Sequence, residues 1–175
     1  LYAPQAYYSL AWSYFQKGDY ELAKRLFQDL IEKYPSNNLA EDSAFKTGEC
    51  DYNAGQYEGA VFQFTRYMKD HPQSVRLYEA QFYIAEAYYY LEQYEKSLDG
   101  YVKAKALTKD PRAAMAAMIG AGWSQMKLSR FNEAVKIFDE AQAAAKAASI
   151  PEDDILLGKA SLFISQEKFK DASAS

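Results

Sequence analysis

Apolar residues recur at helical spacing in paired blocks along this chain, and a short polar turn splits each pair. In the first pair Tyr7, Leu10, Ala11 and Tyr14 share one stripe, and Ala23, Leu26, Phe27, Leu30 and Ile31 share another. Spacings of three and four residues place such positions on one face of an amphipathic helix. Each block is about 13 residues, near 20 Å of helix at about 1.5 Å per residue. The pattern predicts a hairpin of two helices.

The hairpin repeats. Gly18-Asp19-Tyr20, Gly55-Gln56-Tyr57, Glu92-Gln93-Tyr94 and Ser129-Arg130-Phe131 recur every 37 residues, and a degenerate copy, Glu167-Lys168-Phe169, follows after 38 more. A fixed period of about 20 to 50 residues marks a solenoid, in which each unit buries its apolar face only against its neighbours. Gly18 and Gly55 suit the left-handed residue that ends a first helix, and Pro35 and Pro72 follow the second helix. Ser36, Asn37, Asn38 and Gln73, Ser74 fill the links and supply caps for the next helix.

The order tyrosine, leucine, small residue, tyrosine, glycine, tyrosine, alanine, phenylalanine, proline falls on Tyr7, Leu10, Ala11, Tyr14, Gly18, Tyr20, Ala23, Phe27 and Pro35. It recurs as Ala44, Gly48, Gly55, Tyr57, Ala60, Phe64 and Pro72, and more loosely through Ile84, Ala85, Tyr94 and Tyr101 and through Ala121, Gly122, Phe131, Ala134 and Phe138. This pattern resembles the tetratricopeptide repeat. The departures are Asp51 and Gln125 where a tyrosine is usual, and Ser97 for alanine. The resemblance implies an all-α, right-handed α-solenoid of about five helical hairpins, the last incomplete, in one domain over residues 1–175. The repeats run approximately over 4–40, 41–77, 78–114, 115–151 and 152–175. Ala23, Ala60, Ser97 and Ala134 are expected to let the two helices of a hairpin approach, and Phe27, Phe64, Tyr101 and Phe138 to fill the space between hairpins. Gly120 and Gly122 imply an especially close approach in the fourth repeat.

In the family the first helix of each hairpin lines the concave face, so the resemblance places the functional surface there. Its inward positions are Tyr8, Trp12 and Phe15 in the first repeat, and Phe45, Glu49 and Tyr52 in the second. Phe82, Glu86, Tyr89 and Tyr90 follow in the third, and Trp123 and Met126 in the fourth. These residues form an expected partner-binding groove, aromatic and mildly acidic. Rings give large contact area at low entropy cost, which makes Trp12, Tyr52, Tyr89, Tyr90 and Trp123 the expected anchors, although such rings also serve as packing residues. Glu49 and Glu86 favour a basic or amide-rich ligand. Some members of the family clamp a chaperone's terminal carboxylate with inward lysines, an arginine and asparagines. The matching places here hold Tyr8, Trp12, Glu79 and Tyr83, so that ligand is not expected.

Composition narrows the function further. The chain has 175 residues, 49% hydrophobic and 25% charged, enough for a well-buried core. Its net charge of −4 argues against nucleic acid as the partner. The longest apolar run, Ala113 to Trp123, is too short to span a bilayer, which needs about 18 residues, so no direct membrane insertion is expected. Cys50 is the only cysteine and His71 the only histidine. Neither has a partner that makes a nucleophile, so Cys50 reads as packing and His71 as a cap or a solvated ring. No metal site, cofactor site or phosphate loop is expected, and the chain reads as a non-catalytic scaffold.

The leading reading is a scaffold for a protein or peptide partner. Beginning at Leu1, the chain reads as a fragment of a longer protein. The Tyr34-Pro35 and His71-Pro72 links, each with a serine within two residues, resemble bacterial cell-envelope tetratricopeptide proteins, namely the Tol–Pal-associated coordinator and the outer-membrane assembly lipoprotein. That resemblance implies a periplasmic or outer-membrane-associated location, with the cytoplasm as the alternative. Two other functions stay open. One is self-assembly into a homo-oligomer through the solenoid ends, with Leu162, Phe163 and Phe169 meeting Leu1, Tyr2 and Tyr7 of a neighbour. The other is a regulatory part of an enzyme whose catalytic domain lies elsewhere.

Overall fold

The structure is a computed structural model that describes residues 3–173, with side chains described through Glu167. The chain divides into two compact units, Leu1–Leu91 and Glu92–Ser175. Among the described residues the first unit holds α1 (Ala3–Gln16), α2 (Tyr20–Lys33), α3 (Leu39–Asn53), α4 (Tyr57–Asp70) and α5 (Leu77–Tyr90). The second holds α6 (Tyr94–Ala106), α7 (Pro111–Lys127), α8 (Phe131–Ala148) and α9 (Asp153–Ser173). All described secondary structure is helical, and the fold class is the all-α hairpin solenoid expected from the repeat. In the first unit each helix packs on the next, and α1 and α5 also touch α3. In the second, α7 packs on α6 and α8, and α9 on both α7 and α8.

The turns explain where the helices stop. Gly18 and Gly55 adopt φ of +81° and +73°, and the same register in later repeats is held by Glu92 and Ser129 at +59° and +58°. Around them the amides of Asp19, Gln56 and Arg130 donate to the carbonyls of Tyr14, Asp51 and Gln125, five residues back. This bond satisfies a carbonyl that the helix end leaves orphaned. Glu167, where the sequence repeats this turn in degenerate form, is helical instead. The last repeat therefore contributes one continuous helix, α9.

The links cap as expected, though through neighbouring atoms. Asn38 stands at the N-cap of α3 without a side-chain bond, while the Asn37 side-chain oxygen Oδ1 accepts the Leu39 amide at 3.0 Å. Ser74 Oγ likewise accepts the Arg76 amide at 3.2 Å ahead of α5.

Packing rests on an aromatic wedge per hairpin. Phe27, Phe64, Tyr101 and Phe138 are all essentially buried. A methyl group added at Gly48 would meet the Phe64 ring at 2.8 Å, and one at Gly122 or Gly158 would meet the Phe138 ring at 2.7 or 2.5 Å. Gly120 lies just as tightly beneath Tyr101. Glycine thus provides backbone contact for a ring where any side chain would overlap. Phe138 is gripped from α7 and α9 together, and Phe64 lies between Gly48 of α3 and Tyr83 of α5, its ring stacked on Tyr83 at 4.9 Å.

Two departures from the family pattern become polar staples. Ser97 hydrogen-bonds to Ser124 at 3.0 Å, and Ser124 donates onward to the Gly120 carbonyl at 2.9 Å, tying α6 to α7. Asp51 is buried and pairs with Lys24 at 2.5 Å, tying α2 to α3. Burial pushes the Asp51 carboxyl up, and Lys24 works against that shift. Gly59 leaves the space this carboxylate needs, since a methyl group there would lie 2.9 Å from Asp51 Oδ2.

Gly120→Ala is expected to cost about 1–3 kcal/mol through overpacking against Tyr101. Ser129→Gly is expected to add about 0.5–1 kcal/mol by relieving a left-handed backbone. Urea midpoints measure both, and an unshifted Gly120→Ala midpoint would refute the wedge.

Candidate functional site

In the first unit α1, α3 and α5 stand side by side, and their inward side chains do not project freely into a groove. Hydrogen bonds join them rung by rung at a sequence offset of 34. Tyr8 donates to Asp42, Tyr83 to Glu49 at 3.4 Å, and Tyr52 to Glu86 at 3.3 Å. Arg76 donates to Asp42 at 2.7 Å with the same offset. The offset is one period less three residues, about one helical turn back, which is how the first helices of adjacent hairpins are staggered. Burial, reinforced by these carboxylates, pushes the phenols of Tyr8 and Tyr52 up, and that of Tyr83 up to about 12. The hydroxyls therefore act as fixed donors.

Cations of the chain fill the first two steps. Lys46 Nζ sits 4.6 Å above the Trp12 ring and 5.6 Å from that of Phe15, and it pairs with Glu49 at 2.5 Å. Trp12 and Phe15 stack in parallel beneath it, with centroids 5.4 Å apart and planes at 5°. The Arg76 guanidinium lies 3.4 Å from the Phe45 centroid and also holds Glu79 at 3.0 Å. A cation over a ring contributes about 0.5–1 kcal/mol when exposed and about 2 kcal/mol when desolvated. These contacts belong to the stability of the unit.

Several of the expected partner-binding residues are engaged within the unit itself. Phe45 is fully buried in the core with Phe64 and Tyr67 and is not a partner contact. Trp12, Phe15 and Tyr8 pack against the cluster of Ala11, Ala23, Phe27 and Cys50. Glu49 is an internal counter-ion for Lys46, its side chain 12% exposed, rather than an acidic spot for a ligand. Cys50 is buried, and burial pushes its thiol up to about 12, the state of an unreactive packing residue. His71 ends α4 with its own backbone amide, which donates to the Tyr67 carbonyl at 2.9 Å.

Tyr90 is 53% exposed, while Tyr89, Phe82 and Glu86 are half-buried. The Tyr90 ring stacks on Tyr57 of α4 at 4.8 Å and 9°, and Tyr52 meets both edge-on at 5.7 and 6.1 Å. Tyr89 stands at 89° to Tyr90 with centroids 6.2 Å apart. Glu86, Tyr89 and Tyr90, three and four residues apart, share one helix face. In the second unit Trp123 is half-buried, edge-on to Phe138 at 6.2 Å, and Met126 packs against the core there.

Sequence reasoning missed Lys46, Arg76, Tyr57 and Tyr83. Lys46 and Tyr83 share a place in the repeat outside the assumed inward set, and Arg76 lies in a link. A search for donor and acceptor pairs at one period less one turn finds Arg76 with Asp42 and Tyr83 with Glu49. Elsewhere in the first unit a cleft of about 460 Å³ opens between α2, α3 and α4, rimmed by Gln28, Glu32, Arg66 and Asp70. It contains none of the expected partner-binding residues.

Comparison with known proteins agrees with the repeat. Residues 5–37 and 42–74 match the family model described as tetratricopeptide repeat. Protein CTR9 homolog from Arabidopsis thaliana is 32% identical over 120 residues, 67% of this chain and 10% of that protein. The chain thus spans about a tenth of the length of this relative. Among solved structures, a tetratricopeptide repeat protein from Parabacteroides merdae ATCC 43184 superposes with a TM-score of 0.76 at 18% identity, over 97% of this chain and 62% of that one. MamA from Desulfovibrio magneticus RS-1 gives 0.68 at 19% identity, over 82% and 76%. These likenesses show the fold.

Trp12→Ala is expected to lower stability by about 2–4 kcal/mol, because it removes the Lys46 platform and opens space beside Phe15. Tyr90→Ala is expected to stay within about 1 kcal/mol of wild type. Thermal and urea unfolding distinguish them, and equal midpoints would contradict this division of the rings.

Proposed function

We propose that this chain, which carries tetratricopeptide repeats, is a non-catalytic scaffold that holds a segment of a partner protein against the tyrosine edge formed by Tyr52, Tyr57, Tyr89 and Tyr90. One observation carries the reading: a large exposed ring, Tyr90, is held in place by stacking on Tyr57, while Trp12, Phe15 and Phe45 are capped by the chain's own cations. Rigid aromatic rings at a half-open edge lose little entropy on contact and dominate binding energy in other interfaces. The tetratricopeptide fold supports protein–protein interaction as the general role. From the style of the Tyr34-Pro35 and His71-Pro72 links we infer a bacterial cell-envelope assembly as the setting, and cell fractionation tests that location.

A second reading, self-association, is favoured by α9. Leu156, Leu157, Phe163 and Ile164 are each at least half exposed and recur at helical spacing along it. Leu162, by contrast, points into the core of the second unit, and Tyr7 is engaged by Lys33 at 2.8 Å and by Tyr34. Leu1, Tyr2 and the side chain of Phe169 lie outside the described residues.

Replacing both Tyr89 and Tyr90 by alanine is expected to keep the fold and to release partners that the immobilised wild-type chain retains from a native lysate of the source cells. A folded double variant that keeps every partner would remove the tyrosine edge as the docking face. Light scattering over a concentration series tests self-association: mass rising with concentration for wild type and not for Phe163→Asp supports it, and a constant monomer mass excludes it.

A further inference from the structure

The cleft between α2, α3 and α4 owes its room to three small floor residues. Ala40, Ala44 and Thr47 lie along α3, and one period later the same places hold Leu77, Gln81 and Ile84. Ala40 and Thr47 are buried, and the Thr47 hydroxyl donates to the Ala44 carbonyl at 2.7 Å. The floor thus satisfies its own hydrogen bonds and presents apolar surface, which Ile31 of α2 extends. The volume of about 460 Å³ falls within the range of about 300–1,000 Å³ typical of ligand sites.

The walls carry acceptors that the fold does not use. Among the described residues Gln28 and Glu32, one turn apart on α2, make no hydrogen bond or ion pair. Across the cleft on α4, Asp70 is engaged by Arg66 through one oxygen, Oδ2, at 3.4 Å. Glu41, at the end of the floor, accepts the Tyr67 hydroxyl at 3.0 Å. Hydrogen bonds from Ser74 and Tyr67 hold its carboxyl below the usual carboxylate range, so it stays charged. Three carboxylates therefore stand against the single guanidinium of Arg66, and with His71 counted as neutral the lining is net negative.

We propose that this cleft is a docking site for an arginine side chain of a protein partner, separate from the tyrosine edge. The aliphatic stem lies on Ala40, Ala44 and Ile31, where its contact removes apolar surface of both molecules from water. The guanidinium directs its planar fork of donors to the Glu32 carboxylate and the Gln28 carboxamide oxygen on one wall, and to the second oxygen of Asp70 on the other. A lysine engages fewer of these acceptors, because its ammonium is a point charge without the fork. An acidic side chain meets like charge. The whole site lies within the first unit.

The test titrates the full chain, with isotope-labelled alanine and threonine methyl groups, against capped Gly-Xaa-Gly peptides in which Xaa is arginine, lysine, citrulline or glutamate. The arginine peptide is expected to move the signals of Ala40, Ala44 and Thr47 saturably. Lysine should bind more weakly, and citrulline, which keeps the shape without the charge, should leave the signals in place, as should glutamate. Glu32→Gln, at an exposed position where folding is not at stake, should weaken arginine-peptide binding by about two- to fivefold, the effect of one exposed ion pair. Ala44→Gln, which installs the residue of the next repeat, should abolish it by filling the floor. No shift with arginine, equal shifts with citrulline or lysine, or undiminished binding by Glu32→Gln each overturn the arginine site. The Tyr89 and Tyr90 double alanine variant should bind the arginine peptide as wild type does. A loss there would overturn a separate site, while failure of the cleft alone leaves the tyrosine-edge reading standing.

Discussion

Each hairpin is closed by one aromatic ring pressed against a residue with little or no side chain, and the same ring reaches the next hairpin. Phe64 on Gly48 and Phe138 between Gly122 and Gly158 are the clearest cases, and Phe27 and Tyr101 occupy the same place in their repeats. The glycines lower helix propensity by about 1 kcal/mol each, and the wedge offsets this through a large ring packed at crystal-like density. Close approach of the backbones is the condition for the polar contacts that follow. Only when α1, α3 and α5 stand this near can Tyr8 reach Asp42, Tyr83 reach Glu49 and Tyr52 reach Glu86.

Those contacts change what the inward face can do. A face read as aromatic and acidic holds its charge in compensated form over the first two repeats, because Lys46 and Arg76 lie on the rings and pair with Glu49, Asp42 and Glu79. The outer end of α5 differs at the places of Lys46 and Asn53, which hold Tyr83 and Tyr90, and the Tyr90 ring is half exposed. A second ladder, along the turn edge, runs at an offset of 35: Gln56 to Glu21 at 2.9 Å in the first unit and Arg130 to Glu95 at 3.0 Å in the second. These pairs are exposed and contribute little to stability, about 0–1 kcal/mol each, though they fix register.

The hairpins, their turns and the wedge residues were legible because they depend on periodicity and on local backbone chemistry. Gly18 and Gly55 announced their turns; Glu92 and Ser129, which adopt the same conformation, were found only through the period. The candidate site was legible in part. Phe45 and Glu49 lie buried or paired within the unit and Tyr90 is half exposed, because whether an inward residue meets solvent depends on what the neighbouring helix presents. Trp12 illustrates this: its place in the repeat matches an anchor, and a lysine 34 positions downstream turns it into a platform.

The sequence by itself determined the all-α class, the 37-residue hairpin repeat, the turns and the aromatic-on-small packing, since each follows from spacing and from side-chain size within one repeat. The tertiary structure decided which rings are core, which are capped by the chain's own cations and which remain open, and it decided that the last repeat is one unbroken helix. The physical reason is the same in each instance. Burial and charge pairing are set by atoms brought together across helices, and their partners lie about one repeat away along the chain.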